Sequence, residues 1–263
     1  MPAYLDTIIA AHRMLSADDH RDPDELLARA VELPEPRPFT EGLVAAGSPT
    51  RLAVISEIKR RSPSKGDLDL DLDPASVAKE YEAGGAACLS ILTDREFFGG
   101  SALDLEAARA ACSLPVLRKD FTVSVADVCD ARLMGADAVL LIVAALSDRE
   151  LSQFLAVAAE LSLAALVEVH DGDELGQALD AGATLIGVNQ RDLHTFEVHP
   201  GLAESLQSGF PSGVVSVAES GIRGVDDAAR LAAAGYDAVL VGETLVRSGD
   251  RRAAVAELVG AHS

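Results

Sequence analysis

The feature that most constrains this chain is a rhythm. From Leu52 onward, short runs rich in Val, Ile and Leu alternate with longer Ala/Leu-rich amphipathic stretches. The apolar runs are LAVISEIK (52–59), AACLSIL (86–92), PVLRK (115–119), DAVLLIV (137–143), LAALVEV (163–169), TLIGVN (184–189), VVSVAES (214–220) and DAVLVG (237–242). Each is short enough for a strand and too uniformly apolar to face water on one side, as buried parallel strands are. The stretches between them have helical spacing, for example Pro74 to Ala83, Ala102 to Cys112 and Asp148 to Leu161. Eight β-then-α units in succession predict a closed parallel barrel. A doubly wound open sheet of the flavodoxin kind would need fewer strands and is the structural alternative.

A weak internal repeat supports the count. AGGAACLSIL, MGADAVLLIV, AGATLIGVN and AGYDAVLVG share a plan in which a helix ends at a glycine and a buried strand follows. Gly85, Gly135, Gly182 and Gly235 lie 50, 47 and 53 residues apart, about two βα units each. Glycine just past a helix is the usual stop signal, because it adopts the left-handed backbone without a Cβ clash.

Residues 1–50 stand outside this rhythm. Met1 to Leu15 and Pro23 to Leu33 read as helices, and the alternating prolines Pro34, Pro36 and Pro38 of ELPEPRPF read as an extended connector. The expected organisation is a helical extension over 1–50, packing on a catalytic barrel over 51–263.

Charge excludes partners before it suggests any. The chain carries 22 Lys+Arg against 42 Asp+Glu, a formal net charge of −20. That argues against nucleic acid and anionic membranes as partners. The N-terminus has no basic, apolar leader, and the longest apolar stretch, Ala138 to Leu146, is too short to span a bilayer, so a cytoplasmic location is expected. Three cysteines (Cys88, Cys112, Cys129) without a CxxC predict neither a disulfide framework nor a zinc site, and read as small core residues.

In such barrels chemistry sits at the C-terminal strand ends. Six of the eight runs end in polar residues that a buried strand does not need: Glu57 and Lys59; Lys119; Glu168; Asn189 and then Arg191; Glu219 and Ser220; and Glu243 just after Gly242. Parity places Ile55, Glu57 and Lys59 on one face, as it does Leu117 and Lys119, Leu166 and Glu168, and Gly187, Asn189 and Arg191. If that face is the interior, two lysines and three glutamates converge on one mouth. Buried charges are costly unless paired or functional, and mixed signs in partial burial suit general acid/base catalysis. One structural ion-pair network closing the barrel would be the bland explanation. The convergence of the whole set at one end weighs against it.

Two further signals point to an anionic ligand. Ser220 and Gly221 in AESGIRG (218–224), and Gly242 in VGETL (241–245), fall in the loops after strands 7 and 8, where barrels bind phosphate through backbone N–H groups. KRRSPSKG (59–66) is a dense basic loop in an acidic chain: Arg60 and Arg61 read as solvated, Lys65 as ligand contact or solvent, and Ser62 as a donor to a carboxylate. The acidic run 67–73 reads as a solvated lead-in to the next helix, lacking the EF-hand pattern. The histidines show no metal spacing, and His170, two residues after Glu168, reads as a loop histidine.

With these residues assembled, EIKRRSPSKG, ILTDREFFGGS, LRKDF, ADAVLLIV, ALVEVH, IGVNQRDL, VAESGI and VLVGE, in this order, resemble the indole-3-glycerol-phosphate synthase family over about residues 51–247. The helices of 1–50 are similar to that family's extension. The resemblance implies a (β/α)8 TIM barrel, without metal or organic cofactor, that closes the indole ring of 1-(2-carboxyphenylamino)-1-deoxyribulose 5-phosphate with loss of CO₂ and water in tryptophan biosynthesis. It implies Lys119 as the general acid on the substrate ketone, and Glu168 as the base or acid of the later dehydration. Lys59 would contact the anthranilate carboxylate and could act as a second acid, and Glu57 would hold the lysines in register. Asn189, Arg191 and Glu219 match polar groups around substrate and glutamates. Ser62 remains the carboxylate donor already read from the loop after strand 1, Phe98 and Phe121 match aromatic contacts, and Ser220, Gly221, Gly242 and Glu243 match the phosphate end. The partner is a small phosphorylated molecule, and the chain a monomer or weak homo-oligomer. Two departures from the pattern stand out: Gln190 where Asn is common, off the inward face and of little expected effect, and Glu243 where Ser is also common. A phosphosugar isomerase on the same barrel would carry a Cys or Asp pair at the strand ends that here carry Lys and Glu. A non-catalytic phosphate-binding barrel would have no use for Lys59, Lys119 and Glu168 together.

Overall fold

The computed structural model describes residues 4–48, 51–63 and 65–261. Eight parallel strands close on themselves: β1 (Ala53–Ile58), β2 (Cys88–Leu92), β3 (Val116–Lys119), β4 (Ala138–Ile142), β5 (Ala164–Val169), β6 (Leu185–Asn189), β7 (Val215–Glu219) and β8 (Ala238–Val241). Each strand read from the sequence is present, trimmed by one or two residues. Closure, with β1 paired to both β2 and β8, excludes the open doubly wound sheet.

Two apolar layers hold the barrel. Outward-facing strand residues such as Val54, Ile91, Val139, Val167 and Ile186 pack against the surrounding helices. Inward-facing Ile55, Leu117, Leu140, Leu166, Leu185, Val217 and Leu240 fill the interior. The parity expected for Ile55, Leu117 and Leu166 is therefore the observed one. The four glycines read as helix stops all have left-handed backbones, with φ of 92° at Gly85, 89° at Gly135, 86° at Gly182 and 99° at Gly235. The acidic run after β1 is only partly a solvated lead-in. Asp73 caps the helix Pro74–Gly84 by accepting from Ser76 N, Leu72 is buried, and Asp69 pairs with Arg251 at 2.8 Å. Arg60, expected in solvent, instead pairs with Asp104 at 3.0 Å and donates to the carbonyls of Leu70 and Leu72, and Arg61, also expected in solvent, is half-buried with its Nε packed beside Gly99. Ser64 of the same loop lies outside the described residues.

Among the described residues of the first fifty there are three helices, α1 (Tyr4–Ala17), α2 (Pro23–Val31) and α3 (Phe39–Ala46). Residues 1–3 of the expected first helix, and 49–50 at the expected boundary, lie outside the described residues. The proline connector is extended as read, but it stops one residue earlier, and α3 was not foreseen. Eight residues with a glycine in the middle carry too little helical period to be recognised. These three helices run along the barrel from end to end. On α1, Tyr4 meets Phe97 and Phe196 edge-on at 6.1 and 4.9 Å at the mouth, α2 buries Leu26 and Ala30 in the outer layer, and α3 sets Phe39 and Leu43 under the barrel floor, where Cys88 Sγ lies 3.6 Å from the Phe39 carbonyl. Among the described residues no helix is long and apolar enough to cross a membrane.

Candidate active site

A cavity of about 990 Å³ opens at the C-terminal ends of the strands. Strand register builds its polar floor. Ile142 lies opposite Glu168, Glu168 opposite Gly187, and Asn189 opposite Glu219, so neighbouring strands deliver these side chains into one layer. Lys119 enters from β3, level with Leu92.

The charges interlock. Lys119 Nζ lies 2.6 Å from Glu168 Oε2 and 3.3 Å from Glu219 Oε2, with the two glutamates 1% and 2% exposed. Asn189 Nδ2 donates to the other oxygen of Glu168 at 3.0 Å. Lys59 Nζ sits 2.5 Å from Glu57 Oε1. The resemblance implied that Glu57 would hold both lysines. Among the described residues the work is divided: Glu57 contacts Lys59, and Glu168 with Glu219 contacts Lys119.

Two glycines make room for this crowding. A Cβ at Gly187 would run into Glu219 Oε1, and one at Gly242 would run into Glu57 Oε1. Gly242 therefore seats a carboxylate from β1 as well as opening the short helix Glu243–Val246.

Burial and pairing pull the titrating groups apart. Burial alone would lower the pKa of Lys119, but Glu168, Glu219 and Glu57 outweigh it and hold the lysine above its ordinary range. Burial alone would raise Glu168, yet Lys119 and His170 hold it well below the usual carboxylate range. Glu219 is the loser of this competition. Burial, with the Glu168 and Glu57 charges, outweighs Lys119 and pushes it up to about 8. Its Oε1 finds no hydrogen-bond partner. Two carboxylates facing one ammonium cannot both ionise at ordinary cost, so near neutral pH Glu219 holds a proton and Glu168 does not.

Apolar residues complete the lining: Leu92, Leu140, Ile142 and Leu240, with Phe98 and Phe121 at 6.4 Å between ring centres. Across the cavity, Ser220 and Gly221 take consecutive left-handed conformations (φ 62° and 75°) after β7. A left-handed serine is strained by about 1 kcal/mol or more and persists only where its surroundings impose it. Gln190 imposes it here. Its Nε2 donates to the Ser220 carbonyl at 2.9 Å, and its Oε1 accepts from Gly201 N at 3.3 Å. Gln190 lies off the inward face, as parity required, and it braces this loop. Ser62 and Lys65 line the cavity from the loop after β1. Lys65 reaches Glu243 at 3.9 Å, and Arg191 donates to the Phe196 carbonyl at 3.0 Å.

Every proposed site residue thus lies on this cavity. The sequence reading missed residues on this cavity, Asp94 and Asp120, and others behind it, His170 and His12. His170 brings Nε2 to 3.4 Å from Glu168 Oε1 and Nδ1 to 3.0 Å from Glu174 Oε2. His12 of α1 bonds Asp94 at 3.0 Å, and Asp94 accepts from the amides of Phe97 and Phe98. His12, Asp94 and Asp120 come within metal-ligand reach of one another. Asp120, however, is already served by Arg118 and Thr93, so the cluster acts as a latch between α1 and the loop after β2. Only the His170–Glu168 spacing of two was visible beforehand.

A closed (β/α)8 barrel whose mouth sets paired lysines and glutamates against an aromatic wall belongs to the class of barrel enzymes that work by acid–base chemistry. The family model described as Indole-3-glycerol phosphate synthase matches residues 5–258. The chain is 51% identical to the indole-3-glycerol phosphate synthase of Mycolicibacterium vanbaalenii over 91% of its length and 87% of the relative's, and 48% identical to that of a Nocardioides species over 99% and 100%. It is 50% identical to that of Chlorobium phaeovibrioides over 85% and 86%. The chain belongs to the indole-3-glycerol phosphate synthase family, and its function is that family's: a carbon–carbon lyase of the carboxy-lyase kind in tryptophan biosynthesis.

Proposed function

We propose that Lys119 is the general acid of ring closure on 1-(2-carboxyphenylamino)-1-deoxyribulose 5-phosphate. The observation that carries this reading is the seat of its ammonium, 2.6 Å from Glu168 and 3.3 Å from Glu219 at the barrel mouth. The carboxylates guarantee that Lys119 arrives protonated. It gains acid strength when it leaves them for the ketone oxygen of the substrate, where transfer of its proton relieves charge developing during attack by the ring carbon. CO₂ then leaves from that carbon. Loss of the hydroxyl as water needs an acid for the oxygen and a base for a carbon-bound proton, roles that fit Lys59 and Glu168.

The remaining groups sort by substrate chemistry. Lys59 and Ser62 suit the ring carboxylate, and Phe98 and Phe121 the ring. Ser220, Gly221 and the backbone at Gly242–Glu243 suit the phosphate. The Glu243 carboxylate would repel a phosphate, so its part is to hold Lys65 nearby. Arg191 and Asn189 keep the loop after β6 and Glu168 in place. All these groups come from one chain, which suits a monomer or weak homo-oligomer working in the cytoplasm.

The test is turnover of the synthetic substrate, followed by indole fluorescence. Lys119→Ala should fold normally and lose most of kcat. Near-parental turnover in that variant overturns the assignment.

A further inference from the structure

Glu168 has a second cation behind it. His170 follows on the same strand end, outside the residues that line the cavity. Its ring lies between two carboxylates, Glu168 of β5 and Glu174 of the helix Gly172–Asp180. Glu174 is itself fixed: Oε2 accepts from the His170 amide at 2.7 Å and from Nδ1 at 3.0 Å, while its own amide donates to Asp171. An ionised carboxylate only accepts hydrogen bonds. With a carboxylate facing each ring nitrogen, the charged form of the ring is favoured and the ring is an imidazolium. Burial acts against that charge, but the two carboxylates outweigh it and push the pKa up to about 10. Nε2 is buried, and its separation of 3.4 Å from Glu168 is a contact of charges rather than a well-aligned hydrogen bond.

The mechanism leaves this charge a task. Lys119 cannot give its proton to the substrate and remain the counter-ion of Glu168. Once it does, Glu168 would be a buried carboxylate with an amide as its only partner, a state that favours taking up a proton too early. We infer that His170, held by Glu174, is a positioning residue for the reaction: it is the standing counter-charge that keeps Glu168 ionised and oriented while Lys119 is engaged with the substrate. It does not touch the substrate.

The inference rests on the reading of Glu168 as the dehydration base, and the experiment separates the two. His170→Asn keeps a donor toward Glu174 and removes the charge facing Glu168. Its kcat should fall about tenfold with KM within about twofold of the parent. The acidic limb of its kcat–pH profile should move up by about one unit, because Glu168 then protonates more readily. Glu174→Gln, which retains an acceptor for the His170 amide, should shift the limb in the same direction by less, and it carries the test if the first variant fails to fold. A folded His170→Asn or Glu174→Gln protein with the parental pH profile overturns the inference, whatever its change in melting temperature. Glu168→Gln is the control. If it turns over at the parental rate, the base assignment itself fails. If it is inactive while the His170 and Glu174 variants match the parent, only the inference about His170 fails.

Discussion

The two ends of the barrel both bury charge, and they treat it in opposite ways. At the floor, Asp137 is 1% exposed and fully served: its carboxylate accepts from Arg37 N at 2.7 Å, Arg109 Nη2 at 2.8 Å and Val116 N at 2.9 Å. Beside it the exposed Asp237 accepts from both the amide and the hydroxyl of Ser216 at 2.8 Å. At the mouth, Glu168 and Glu219 share one ammonium, and one oxygen of Glu219 has no partner. Satisfied charge at the floor ties the extension and the strand starts together. The mouth instead leaves a buried carboxyl oxygen without a partner beside the cavity.

Removing Lys119 should give the largest effect. For Lys119→Ala we expect kcat to fall about 10³-fold, near 4 kcal/mol of transition-state stabilisation, with little loss of fold. Asp137→Ala should do the reverse. It strands Arg109 and two backbone donors, so chemical denaturation should show a loss of about 3 kcal/mol while the residual folded protein keeps its kcat. A floor variant that lost activity without losing stability would break the contrast.

Glu219→Gln should sharpen it. A carboxyl whose folded pKa is raised takes up a proton on folding, so its contribution to stability falls as pH rises from the unfolded value, 4.5, to the folded one, about 8. The glutamine variant lacks that penalty. It should be more stable than the parent by about 1–2 kcal/mol above pH 8, with the difference vanishing near pH 4. Its activity should nevertheless fall, since the acid–base set at the mouth is altered. At the small end, Glu243→Gln, at a half-exposed site with cations 3.9 Å away, should change stability by less than about 0.5 kcal/mol. It should also leave KM unchanged or slightly lower.

Much of this was legible beforehand because strand periodicity is local. Eight apolar runs and their glycine stops gave the barrel, and parity alone put Glu57, Lys119, Glu168 and Asn189 on the inward face. Of the four lysines, Lys59, Lys65 and Lys119 do gather at the mouth, and Lys79 lies exposed on the helix Pro74–Gly84. The net charge of −20, from which nucleic acid and anionic membranes were not expected as partners, said nothing of the cavity. The helix α3 escaped notice because what makes it a helix is the barrel floor beneath Phe39 and Leu43, more than its own propensity.

The sequence by itself determined which side chains enter the barrel, because a period of two leaves each strand residue only one face. Which of them would pair was decided only by the closed sheet. Register between strands far apart in sequence set Lys119 against Glu168 and Glu219 rather than Glu57, turned Gly187 and Gly242 into seats for carboxylates, and brought His170 to within 3.4 Å of Glu168. Such partners are fixed by distances of a few ångströms across separate strands and helices, and a linear pattern carries no information about them until the barrel closes.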